Sequence, residues 1–102
     1  MKDSILKNST VVTTKDQVWC ELAEEAVILD LKSGVYYGLN AIGARVWKLL
    51  QEPKTVDMVL ATLLEEYEVE PERCENDLLA LLQDLVGRQL IEIRAEVNGA
   101  AQ

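Results

Sequence analysis

Carboxylates dominate the groups in this 102-residue chain that could do chemistry: Asp and Glu number 18 against 10 Lys and Arg, a net charge of −8. They gather at Glu24-Glu25, Glu65-Glu66, Glu68, Glu70, Glu72, Glu75, Asp77 and Asp84. General acid–base work needs one carboxylate desolvated while a partner stays ionised. The periodicities traced below leave these acids on solvent faces, so they read as an acidic surface. The chain has no histidine, which removes the commonest base and metal ligand at neutral pH. Cys20 and Cys74 have neither CxxC spacing nor a neighbouring base that would make a thiolate. No glycine-rich loop is present to cradle phosphate. No catalytic residue, metal ligand or cofactor site is therefore expected.

The same charge excludes partners. Phosphate backbones are held through Lys and Arg, so a chain at −8 is repelled by nucleic acid. No apolar run approaches the roughly 20 residues that span a membrane, and the N-terminus lacks the apolar centre of a signal peptide. With two distant cysteines read as reduced thiols on apolar faces, the expected location is the cytoplasm. The length suits one domain. Phe is absent, leaving Trp19, Trp47, Tyr36, Tyr37 and Tyr67 as the aromatics, and a small core should use each of them.

The elements that would position these groups begin with Val27 to Asn40. Val27, Leu29 and Leu31 alternate with Ala26, Ile28 and Asp30, and Val35, Tyr37 and Leu39 alternate with Tyr36 and Gly38, the period of strands with one buried face. A three-residue loop, Lys32 to Gly34, pairs Leu31 with Val35, Leu29 with Tyr37 and Val27 with Leu39. Val18, Cys20 and Leu22 extend this inward set through a connection from Ala23 to Ala26 that pairs Leu22 with Val27. Trp19 and Tyr36 then lie on the wet face as a cross-strand shield. Asn40 caps a helix with Ile42, Val46, Leu49 and Leu50 as its stripe and Trp47 beside it. Gly43 in this helix suits a close approach to the sheet. Thr55 caps a second helix carrying Val56, Val59, Leu60, Leu63 and Tyr67. Pro71 opens a third with Cys74, Leu78, Leu81, Leu82 and Leu85, ending near Gly87. Leu90 to Ile93 is a short closing strand or extended clip.

The fold class expected is α+β: a three-stranded antiparallel β-meander followed by three α-helices, winged-helix-like. Residues 1–9 are expected to be a flexible N-terminus, 10–93 the domain, and 94–102 a disordered tail. A meander leaves unpaired backbone groups on its first and third strands. An edge strand beside a helix makes a groove in which an extended peptide can add as a further strand, its side chains read by pockets. The third strand and the leucine-rich third helix supply such a pair.

The block Val27-Ile28-Leu29-Asp30-Leu31-Lys32-Ser33-Gly34-Val35-Tyr36-Tyr37-Gly38-Leu39-Asn40, followed by Gly43-Ala44-Arg45-Val46-Trp47, resembles the coenzyme PQQ synthesis protein D (PqqD-like) family. Thr55-Val56, the Cys74 to Leu85 helix and Leu90-Ile91 continue the likeness. The resemblance implies a non-catalytic recognition element, or peptide chaperone, for ribosomally made and post-translationally modified peptides. It would bind the leader of a precursor peptide and present it to a leader-cleaving protease or another maturation enzyme, as in lasso-peptide biosynthesis. Carried over by position, the leader would pair along Val35, Tyr36, Tyr37 and Gly38, against a wall of Arg73, Asp77, Leu78, Leu81, Asp84 and Leu85. The family has Gly directly before the closing Leu-Ile, where this chain has Gln89. A monomer or weak dimer is expected, with no cofactor, nucleic acid or membrane. Two other readings fit the topology: a winged-helix nucleic-acid regulator, which the acidic third helix opposes, and an acidic protein–protein interaction domain.

Overall fold

The computed structural model describes residues 5–94. The expected α+β class holds, with one addition. Three strands, β2 (Gln17–Leu22), β3 (Glu25–Asp30) and β4 (Tyr36–Leu39), form an antiparallel meander in the order β2-β3-β4. Three helices follow: α1 (Ala41–Leu49), α2 (Val56–Glu66) and α3 (Pro71–Gly87). A second sheet, β5-β1-β6, joins β1 (Thr10–Thr13), β5 (Lys54–Thr55) and β6 (Ile91–Arg94). The closing strand therefore pairs with β1, from Thr10 opposite Arg94 to Thr13 opposite Ile91, and leaves β4 alone. No helix of the described residues is long and apolar enough to cross a membrane.

The register of the meander differs from expectation. Leu29 lies opposite Tyr36, Ile28 opposite Tyr37, Val27 opposite Gly38 and Ala26 opposite Leu39, one residue from the expected pairing. The cause lies in a four-residue loop, Leu31 to Gly34. The Asp30 carboxylate accepts hydrogen bonds from the Lys32 N–H (3.1 Å) and the Ser33 hydroxyl (3.0 Å). Gly34, at φ +73°, donates to the Asp30 carbonyl at 2.7 Å. An Asp that satisfies its own loop in this way makes a longer turn the better one. The preceding hairpin shifts by two residues: Leu22 pairs with Glu25 and Cys20 with Val27 across Ala23-Glu24, with Ala23 at φ +58°.

A one-residue slip exchanges the faces of a strand, and the buried face is the one expected to be wet. Ala26 and Ile28 are fully buried, whereas Val18, Leu22 and Leu31 are 51%, 58% and 57% exposed. Trp19 points inward and meets Trp47 of α1 edge-on, with ring centroids 6.5 Å apart. The expected Trp19–Tyr36 shield does not form; Tyr36 stands on the outer face and Trp19 on the inner. Cys20 is exposed on that outer face and Cys74 is half-buried.

The helix signals are met. Asn40 accepts from the Gly43 N–H at 2.9 Å and Thr55 from the Met58 N–H at 3.2 Å. A Cβ at Gly43 would come 3.3 Å from the Leu39 Cβ, so α1 approaches β4 closely here. In α1, however, Ile42 is exposed, and Ala44 takes a buried place instead. Residues 5–9, expected to be flexible, carry Ile5 into the core, and the Val56 N–H donates to the Ser9 carbonyl at 3.0 Å. The tail from 95 onward lies outside the described residues.

The end of α3 resolves the Gln89 departure. Gln89 adopts φ +63°, its N–H bonds to the Val86 carbonyl at 2.9 Å, and the Leu90 N–H bonds to the Leu85 carbonyl at 3.0 Å. These are the two bonds of a Schellman turn, with Leu85 and Leu90 both buried as its apolar contact. Gly87 sits inside the last helical turn, so it is Gln89 that takes the left-handed place. Left-handed backbone costs a non-glycine residue about 1–2 kcal/mol, partly offset by glycine's larger unfolded-state entropy. Gln89→Gly should therefore stabilise by about 0.5–1 kcal/mol, and Gly87→Ala by up to about 1 kcal/mol, both read from urea denaturation. The same assay checks the sheet's orientation: Ile28→Ala should cost about 2–5 kcal/mol and Val18→Ala less than about 0.5.

Candidate functional site

One strand edge and one helix face frame the site. β4 is an outer strand of its sheet among the described residues. The Asp30 N–H donates to the Val35 carbonyl at 3.0 Å, so that pair is hydrogen-bonded. Bonded and non-bonded pairs alternate in an antiparallel ladder. Ile28 with Tyr37 and Ala26 with Leu39 are therefore bonded, and Tyr36 and Gly38 turn their N–H and C=O groups to the open edge. These are two donors and two acceptors at the 6–7 Å repeat that an added strand needs.

Beside this edge lies a groove of about 740 Å³, bounded by the end of β4, the start of α1, the α2–α3 connection and one face of α3. Its floor is apolar, with Leu39, Val46, Leu63 and Leu78 beneath and Ile42 and Leu81 partly open to it. Its rim is charged, with Arg73, Asp77 and Asp84 from α3 and Glu68 and Glu70 from the connection.

The residues singled out from sequence divide into two groups. Gly38, Arg73, Asp77, Leu78, Leu81 and Asp84 converge on the groove. Leu78 contributes from the floor, being almost fully buried, while Leu81 is half-buried on the wall. Val35, Tyr36, Tyr37 and Leu85 do not line it. Val35 belongs to the loop; Tyr36 offers backbone at the edge while its side chain, 67% exposed, points away. Leu85 is 2% exposed and serves the core. Its spacing from Leu78 and Leu82 places it on the inner stripe of α3, which corrects its place in the wall. Tyr37 faces inward under Arg88, whose guanidinium carbon lies 4.7 Å from the ring centroid.

Sequence reasoning missed Ile42, Tyr67, Val69 and Cys74 as lining residues, and Arg88 as a link between α3 and β4. Val69, an apolar residue set between acids in a helix connection, was the available signal. Arg88 had none, because its partner is distant in sequence. It also donates to the Asp84 carboxylate at 3.1 Å, and this bond first, with the Tyr37 contact next, raises the Arg88 pKa further.

The chemistry of the groove is that of binding. Burial, reinforced by the charge of Asp77, pushes the Cys74 thiol pKa up, so at neutral pH it is a protonated, weakly nucleophilic group. The acids on the rim are solvent-facing.

The family description Coenzyme PQQ synthesis protein D (PqqD) matches residues 25–91. Among solved structures, TbiB1 in complex with the TbiA(beta) leader peptide is similar with a TM-score of 0.75 at 33% identity, covering 83% of this chain and 99% of that one. A lasso peptide synthetase B1 complexed with the leader peptide follows at TM-score 0.71 and 27% identity, covering 80% and 96%. A comparison with curated proteins finds no match. With two thirds of its length under the family pattern and a fold shared along nearly the whole of both structures, this chain belongs to the PqqD family.

Proposed function

We propose that the protein is a non-catalytic adaptor that binds the leader segment of a ribosomally synthesised precursor peptide and presents it to a maturation enzyme, in lasso-peptide or related biosynthesis. The observation that carries this reading is the unpaired β4 edge opening directly onto the α3 groove, in a chain whose structural neighbours are complexes with leader peptides. The leader adds as a strand through the backbones of Tyr36 and Gly38. An apolar side chain enters between Ile42 and Leu81, and Arg73, Asp77 and Asp84 meet polar groups along the rim.

The energetics are sufficient. Burying one large peptide side chain of about 150–250 Å² yields roughly 4–6 kcal/mol gross, against about 2–5 kcal/mol for ordering the peptide. Two anchors with strand pairing reach the micromolar to nanomolar range. The receiving enzyme is a leader-cleaving protease or another enzyme of peptide maturation, and the adaptor works in the cytoplasm as a monomer or weak dimer. The nucleic-acid reading fares worse, because the helix that would enter a groove of DNA carries Glu72, Glu75, Asp77 and Asp84.

Titration with a leader peptide by fluorescence anisotropy tests the proposal; absence of binding at tens of micromolar overturns it. Leu81→Asp places a charge on the half-buried wall and should weaken leader binding at least a hundredfold while circular dichroism stays unchanged. Gly38→Pro is a second, independent test. It removes a donor that faces away from β3, a position where an edge strand tolerates Pro. Leader affinity should fall at least tenfold, with the thermal midpoint shifted by only a few degrees.

A further inference from the structure

The groove is amphipathic in a way that specifies its occupant. Ile42 and Val69 leave apolar surface open in it, at 41% and 40% exposed. Above that surface runs a lip formed by the α2–α3 connection and the first turns of α3, Glu65-Glu66-Tyr67-Glu68-Val69-Glu70-Pro71-Glu72-Arg73-Cys74-Glu75-Asn76-Asp77. Two of its acids are already paired: Glu66 with Arg45 at 2.7 Å and Glu75 with Lys7 at 3.5 Å. The three that line the groove, Glu68, Glu70 and Asp77, have no cation within ion-pair distance among the described residues. Asp84, at the far end, is held by Arg88. Among the described residues Arg73 is the one cation of the lining. The helix dipole accounts for Glu70 and Glu72 at the N-terminus of α3. It does not account for Glu68, which precedes the helix, or for Asp77, almost two turns inside it.

Carboxylates of one sign along a cleft with an apolar floor focus the field and concentrate the opposite charge there. The surplus of acids over the whole chain acts in the same direction at longer range.

We propose that the segment received by this groove is a cationic amphipathic strand, with apolar side chains set against Ile42 and Leu81 and Lys or Arg residues set against Glu68, Glu70 and Asp77. This rests on the leader-binding reading and names the chemistry of the leader. Arg73 then limits how much positive charge the rim accepts and where along the strand it falls.

The test uses the full chain and three peptides: the TbiA(beta) leader peptide, a version with two residues replaced by lysine, and a version with the same two replaced by glutamate. At about 50 mM NaCl the lysine version should bind roughly three- to tenfold more tightly than the glutamate version. The gap should close at about 500 mM, where screening reaches a few ångströms. Glu68→Gln, outside any helix, and Asp77→Asn should each shrink the gap, whereas Arg73→Gln should widen it; a thermal melt checks that each variant is folded. Equal affinities, or tighter binding of the glutamate version, overturn the charge preference and leave leader binding standing. Failure of all three peptides to bind overturns both.

Discussion

The burial of Trp47 is the constraint on which the rest of the structure depends. Its indole is completely buried, and its N–H has no hydrogen-bond partner among the described residues. A buried donor without a partner costs free energy, so packing must hold the ring in place. Trp19 meets it edge-on from β2 while Ile28 joins it in the same core, and α1 is thereby fixed across the inner face of the meander. Arg45 ties α1 to Glu66 at the end of α2, α2 packs against α3, and α3 packs against β6. β4 and α3 thus belong to one core without being neighbours in it. The groove is the gap between them, and Arg88 over Tyr37 spans that gap only at its end.

Much of this was legible in the sequence, and the failures share a cause. Helix starts were readable because a cap is a local event: Asn40, Thr55 and Pro71 each satisfy or dispense with donors a few residues away. The face of the sheet was not, because both faces are apolar. Val18, Cys20, Leu22, Val27 and Leu29 form the longer aliphatic set, yet they face outward. The inner set relies on the small Ala26, which lets α1 come close, and on Trp19, whose partner lies 28 residues along the chain. The scarcity of aromatics favours Trp19 inside, whereas alternation alone favours the aliphatic set. Strand β5, two residues long, left no periodic trace at all.

The candidate site was readable to the extent that it follows from α3. Leu81, Asp77 and Asp84 share a helical face, so finding one finds the others. What came from elsewhere in the chain, Ile42 at the start of α1 and Val69 in a connection, depends on how three elements meet. The distribution of charge follows from the same assembly. Arg45 forms a two-point fork with Glu66, at 2.8 and 2.7 Å, tying α1 to α2, and Lys48 reaches Glu21 across to β2 at 2.9 Å. Hydrogen bonding from Arg45 lowers the Glu66 pKa. Such exposed pairs add little stability each. Their effect is to place the few cations at the joints between elements and leave the groove's rim acidic.

Thr10 lies opposite Arg94 in the second sheet, and among the described residues none of that ladder lines the groove. The strand that closes the domain therefore takes up no wall of the cleft, and the two sheets divide the work of closure and of display.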